Sequence, residues 1–191
     1  SARTRKKLEK GVESGAFKQD EATAILRNIT WTGDKGQLAG CDLVVEAATE
    51  RLEIKQSIVA DVEEIVGEDA IVASNSSHLE PEAIFAKARY PERALVIHYF
   101  FPAERNILVE VVPGTRTSKP TSYFCMKFYE SIGKLPIRVR SRYGYAIDPI
   151  FEGVFLAALL CVEEGLGSIK HVDSIAQKAL GLGIGPFTAM N

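Results

Sequence analysis

Three short apolar runs constrain this chain more than anything else in it: Asp42-Leu-Val-Val-Glu-Ala-Ala48, Ala70-Ile-Val-Ala73 and Val96-Ile-His98. Each is too short for a stable helix, and all three are rich in β-branched residues with apolar centres, as in strands buried on both faces of a parallel sheet. Between the first two lies an amphipathic helical stretch, Arg51 to Val66, closed by Gly67. Between the second and third, a helix is expected near Pro81 to Ala88, with Glu80 and Glu82 suited to its N-terminal dipole. Strand, helix, strand, helix, strand predicts an open, mostly parallel α/β sheet, which binds ligands beyond the carboxyl ends of its strands.

The flanking segments extend this pattern. Thr4 to Glu13 reads as a helix, Gln19-Asp-Glu21 as the start of a second, and Ile29-Thr-Trp-Thr32 as a short strand ending at Gly33. Beyond Gly114 come a helix from Ser118 to Ile132 and a strand from Leu135 to Val139. The character then changes. Asp148 to Glu164 reads as a long, nearly all-apolar helix with Asp148 as N-cap and Pro149 in the first helical position, followed by a helix from Val172 to Leu180. A helix so apolar needs partners on several sides, either other helices or a second subunit. We place a boundary near Ser141 to Asp148, giving a sheet domain over 1–143 and the start of a helical domain over 144–191.

Composition narrows the classes. The formal net charge is −2 and the basic residues form no long run, so neither nucleic acid nor an anionic membrane is an expected partner. The short basic stretch Arg3-Thr-Arg-Lys-Lys7 reads as a solvated helix face. Three widely spaced cysteines, Cys41, Cys125 and Cys161, suggest neither a disulfide framework nor a zinc site, and fit a reducing, cytoplasmic setting. No apolar run approaches the length needed to span a bilayer, and no signal peptide is evident.

The chemistry-bearing stretch is Val96 to Gly114. His98 ends one apolar run and Glu110 sits inside the next, with Pro102 and Pro113 as punctuation. Burying an ionisable group in each strand costs stability unless the two meet. If the strands are neighbours, Glu110 can accept from one ring nitrogen of His98, fixing its tautomer and leaving the other nitrogen to move a proton. The same pair also suits a core histidine whose hydrogen bonds are satisfied for purely structural reasons.

Taken in order, several stretches make the chain resemble the NAD-dependent 3-hydroxyacyl-CoA dehydrogenases of fatty-acid β-oxidation. They are Asp42-Leu-Val-Val-Glu-Ala-Ala-Thr-Glu50, Ala73-Ser-Asn-Ser-Ser77, the His98 to Gly114 stretch, Gly133-Lys-Leu-Pro136, Gly144-Tyr145 and Gly181-Leu-Gly-Ile-Gly-Pro-Phe187. The resemblance implies a Rossmann-like NAD-binding domain followed by a helical domain that forms a homodimer. It also implies an acyl-CoA substrate, with His98 as catalytic base and Glu110 as the carboxylate that orients it. Ser77 would lie near the substrate oxygen and the nicotinamide, Glu50 and Lys55 would line the nicotinamide side, and Ala47 would offer a backbone contact to the cofactor. Two related alternatives are a dehydrogenase of free 3-hydroxy acids, with Arg105 as anion clamp, and a noncatalytic relative that keeps the fold for binding or assembly.

Three departures from the family pattern stand out. The dinucleotide fingerprint G-x-G-x-x-G is not in the chain, so a piece of a longer protein, inactive by itself, is expected. Gly181, Gly183 and Gly185 follow a helix and run into Pro186, which reads as a helix stop and a turn. Phe101 stands where the family has asparagine, which either removes a donor or reshapes the pocket. Asp148-Pro149 stands where the family has Asn-Arg, and an ionised Asp148 can accept hydrogen bonds but cannot donate them.

Overall fold

The computed structural model describes residues 2–190, which fall into two compact units, one running to Gly40 and the other starting at Cys41. In the first, α1 (Ala2–Glu13) and α2 (Gln19–Arg27) bury Leu8 and Ala22. Gly11 lets the Phe17 ring lie against α1, because a side chain there would come within 2.4 Å of the ring. The Glu21 carboxylate accepts the Lys18 N–H at 2.8 Å at the entry of α2. The strand expected over Ile29 to Thr32 does not form. Thr32 Oγ1 takes the Asp34 N–H and Asp34 Oδ1 takes the Gly36 N–H, both at 2.9 Å, so local side chains turn the backbone out of any ladder and into a 3-10 turn over Lys35–Gly40.

The second unit is built on a five-stranded sheet whose strands lie side by side in chain order: β1 (Leu43–Glu46), β2 (Ile71–Ser74), β3 (Ala94–Tyr99), β4 (Leu108–Pro113) and β5 (Leu135–Arg138). The first three are mutually parallel, joined through α3 (Leu52–Glu63) and then α4 (Pro81–Ile84). A short loop tightened at Pro102, whose carbonyl accepts the N–H groups of Arg105 and Asn106 at 2.9 Å, leads from β3 to β4. A parallel return needs a crossover of a dozen or more residues, so this connection makes β3 and β4 antiparallel. The helix α5 (Lys119–Ser131) then restores a parallel pairing between β4 and β5.

Alternation along the strands builds the core. Ile71, Ala73, Leu95, Ile97, Val109 and Val111 point to one face, where Cys125 and Tyr129 of α5 cover them. Val72, Val96 and Val112 are buried on the opposite face. The mostly parallel α/β sheet expected from the three apolar runs is therefore what forms, with β4 and β5 reversed as a pair.

Beyond β5 come α6 (Ile147–Glu163), α7 (Ile169–Leu180) and α8 (Pro186–Met190). The predicted boundary at 143/144 falls inside the second unit, at the turn where the sheet gives way to these helices. Gly181 ends α7 in the left-handed region (φ 70°), the expected helix stop. Gly185 leaves room for the Asp173 carboxylate, which accepts the N–H groups of Phe187 and Thr188 at the start of α8. Among the described residues, no helix is long and apolar enough to cross a membrane. The α6 side chains Ile150, Leu156 and Leu159 are exposed in this chain.

One expectation for α6 is overturned. The helix starts at Ile147 after Ala146, so Asp148 lies inside the first turn and is not its N-cap. The capping acceptor comes instead from the sheet: Glu110 Oε1 accepts the N–H groups of Ala146 at 3.0 Å and Ile147 at 3.1 Å.

Candidate functional site

Because β1, β2 and β3 are parallel, their carboxyl ends share one edge of the sheet, and the loops that leave them meet there. The pairing of β3 with β4 sets His98 directly opposite Glu110, which places both side chains on the same face. His98 Nδ1 lies 2.9 Å from Glu110 Oε2, with the histidine 4% exposed and the glutamate fully buried. A carboxylate can only accept, so Nδ1 donates and Nε2 becomes the basic nitrogen of the ring.

The imidazole is also held by its packing. Phe100 stands 4.6 Å away between ring centroids, and Tyr145 approaches edge-on at 5.6 Å. Tyr145 is buried and has φ 50°, the left-handed region disfavoured for a bulky side chain, and its hydroxyl donates to the Leu79 carbonyl at 2.7 Å. That strained residue ties the segment before α6 to the loop after β2.

The loop after β2 is organised by Glu50. Its Oε1 accepts the Ser76 hydroxyl and the N–H groups of Ser77 at 3.1 Å and His78 at 3.2 Å. Asn75 adds a second anchor, its Oδ1 taking the Tyr99 N–H at 3.0 Å. Ser77 is thus held by its backbone and is half-buried. Burial pushes the Glu50 carboxyl up, but the hydrogen bonds from Ser76 and His78 and the Lys55 ammonium outweigh it and leave it below the usual carboxylate range.

Lys55 reaches this cluster from beneath. Fully buried, its Nζ lies 3.0 and 3.2 Å from the two Glu46 oxygens and 3.3 Å from Glu50 Oε2. Glu46 also takes the Ser74 hydroxyl. A buried ammonium with two carboxylates is an internal brace. Glu50 stands between it and solvent, with 39% of its side chain exposed, and Ala47 is exposed at the end of β1. Ala47, Glu50 and Ser77 therefore line the open edge of the sheet, and Lys55 supports that edge through Glu50.

Other singled-out positions lie differently. Phe101 is 88% exposed, and its ring fills no pocket. Arg105 is exposed in the β3–β4 loop and His171 is exposed in the first turn of α7. His78, in the loop after β2, has Nε2 3.7 Å from both Asp148 Oδ2 and Glu152 Oε1, and its ring lies 5.1 Å from that of Tyr143. Burial holds the Asp148 carboxyl above its usual range; the charges of His98 and His78 pull it down, and those of Glu110 and Glu152 push it up. For Tyr145 and Glu152 the only sequence signals are the Gly144-Tyr145 turn and the i, i+4 spacing of Asp148 and Glu152.

No group of residues suited to a metal ion occurs among those described. The arrangement instead suits proton transfer. A buried imidazole with a fixed tautomer lies in the sheet whose open edge carries a hydroxyl and a solvent-facing carboxylate.

Residues 1–142 match the family model described as 3-hydroxyacyl-CoA dehydrogenase, NAD binding domain. Among curated proteins, the alpha subunit of the fatty acid oxidation complex of Idiomarina loihiensis is 30% identical over 179 residues, which cover 94% of this chain and 25% of that protein. FadB2 of M. tuberculosis superposes with a TM-score of 0.92 at 29% identity over 97% of this chain and 66% of its own. The (S)-3-hydroxybutyryl-CoA dehydrogenase PaaH1 of Ralstonia eutropha gives 0.92 at 28% identity over 97% and 65%. The chain thus spans a quarter of the curated relative and just under two thirds of these two solved ones.

Proposed function

The chain belongs to the 3-hydroxyacyl-CoA dehydrogenase family, with NAD as the cofactor of its matched domain, and on that premise we propose that the protein oxidises a 3-hydroxyacyl-CoA to the 3-oxoacyl-CoA. The observation that carries this reading is the His98–Glu110 pair, 2.9 Å apart in facing strands at the edge where the β1 and β2 loops converge. His98 Nε2 takes the proton of the C3 hydroxyl. NAD, when bound, supplies the hydride acceptor for C3. Glu110 stabilises the imidazolium that forms, and the Ser77 hydroxyl donates to the substrate oxygen.

Ala47, Glu50 and Ser77 hold the nicotinamide side of the cofactor, and Lys55 positions Glu50 from below. The fit is local: these residues offer an exposed backbone, an ionised carboxylate and a hydroxyl along one edge. Residues 1–143 act as part of the cofactor domain and 144–191 as the start of a helical domain. The exposed apolar side chains of α6 support homodimerisation through that domain. A net charge of −2 and three free cysteines support a cytoplasmic enzyme without nucleic-acid or membrane partners.

The test is NADH formation by the full-length protein with a panel of 3-hydroxyacyl-CoA thioesters beside the corresponding free acids. Turnover of thioesters alone supports the proposal. Turnover of free acids alone favours the 3-hydroxy-acid reading, which the exposed Arg105 does not support. NAD binding without turnover of either set favours a noncatalytic relative.

A further inference from the structure

One residue at this edge has four ties that the proposed chemistry does not use. The His78 N–H donates to Glu50 at 3.2 Å, and its carbonyl accepts the Gly144 N–H at 3.4 Å. Its ring lies against Tyr143 at 5.1 Å, and its Nε2 stands 3.7 Å from both Asp148 and Glu152 in the first turns of α6. His78 follows Ser77 directly. It therefore joins the loop that presents Ser77 to the turn and helix that follow β5.

The charges around it explain why such a joint is needed. Glu110 and Asp148 bring two carboxylates near His98, and Glu152 adds its charge to that of Asp148. Glu110 has both oxygens occupied, one by the His98 ring and the other by the backbone at the start of α6. Among the described residues, the ion pairs of Asp148 and Glu152 are with His78. Left unpaired, the Asp148 anion would oppose the negative charge that develops on the substrate oxygen.

We propose that His78 is a positioning residue whose ring pairs through Nε2 with Asp148 and Glu152, keeping their charge off the reacting oxygen and fixing the first turns of α6 over the Ser77 loop. The inference rests on the proposed dehydrogenase reading for its effect on rate, and on geometry alone for the pairing. Tyr143 packs on the ring, and Glu50 faces the backbone of the same residue, so Asp148 and Glu152 are the ionised groups that the imidazole itself meets.

The test uses the full-length protein as wild type, His78→Gln, Asp148→Asn and the double variant. Each is followed by carboxyl ¹³C NMR titration of Asp148, where present, and by kcat/KM against pH with 3-hydroxybutyryl-CoA and NAD. Removing the imidazole should move the Asp148 midpoint upward and lower kcat/KM on the order of tenfold at neutral pH, with KM for NAD little changed. Adding Asp148→Asn to His78→Gln should recover most of that loss. A midpoint that does not move with His78→Gln, or a double variant no better than His78→Gln alone, overturns the proposal. Wild-type protein without turnover would defeat the dehydrogenase reading, while the titration would still decide the pairing.

Discussion

Glu110 binds His98 and the start of α6 with a single carboxylate: Oε2 lies 2.9 Å from His98 Nδ1, while Oε1 accepts from Ala146 and Ile147. The orientation of the imidazole and the docking of the helix are therefore properties of one fully buried side chain.

Replacing that side chain should damage both. In Glu110→Gln the amide presents one acceptor where two are needed, so kcat is expected to fall on the order of 10²- to 10⁴-fold, as when other catalytic histidines lose their carboxylate. Glu110→Ala strands a buried imidazole and two backbone donors, and should cost about 3–5 kcal/mol of stability in urea melts. Full activity in Glu110→Gln would show that the pair is only structural.

Lys55 is fully buried and meets the open edge of the sheet through Glu50. Lys55→Met should leave the Glu46 carboxylate buried without its cation and cost about 3–5 kcal/mol. Its measure is the urea midpoint, with NAD affinity followed in parallel. Weaker NAD binding without loss of stability would mean that Lys55 contacts the cofactor itself.

Glu50 predicts a pH dependence of the loop. Its folded-state carboxyl titrates below the ordinary value of 4.5, so in the window between the two the unfolded chain binds more protons. Stability from this group is complete above the ordinary value and is lost as pH falls through the folded one. Hydrogen exchange of the Ser77 and His78 amides should accelerate, relative to the intrinsic rate, on acidification below about 4.5. Glu50→Gln should abolish that dependence.

Tyr145→Phe keeps the ring against His98 and removes the hydroxyl that donates to Leu79. Leaving that carbonyl without its partner should cost about 1–3 kcal/mol in a urea melt. Tyr145→Gly relieves the left-handed backbone but opens a cavity beside the imidazole, so it should lose both stability and rate.

Much of the fold was legible because the sheet is written in local signals. The β-branched runs at Leu43–Glu46, Ile71–Ser74 and Ala94–Tyr99 form strands close to where their composition put them, and His98 meets Glu110 because antiparallel pairing follows from the Pro102 loop. The same local logic failed at Ile29 to Thr32, where Thr32 and Asp34 hydrogen-bond to the backbone and end the extended run. It failed again at Asp148, whose capping role is taken by Glu110 from another strand. The setting of His78 depends on where α6 starts, and no periodicity in its own loop reports that.

The most direct test of the central claim is NADH formation by full-length wild-type protein and His98→Ala, assayed with 3-hydroxybutyryl-CoA and longer thioesters at matched NAD occupancy. Thioester-dependent turnover should fall on the order of 10²- to 10⁴-fold in His98→Ala, with NAD affinity nearly unchanged. Equal turnover in the two proteins would contradict it.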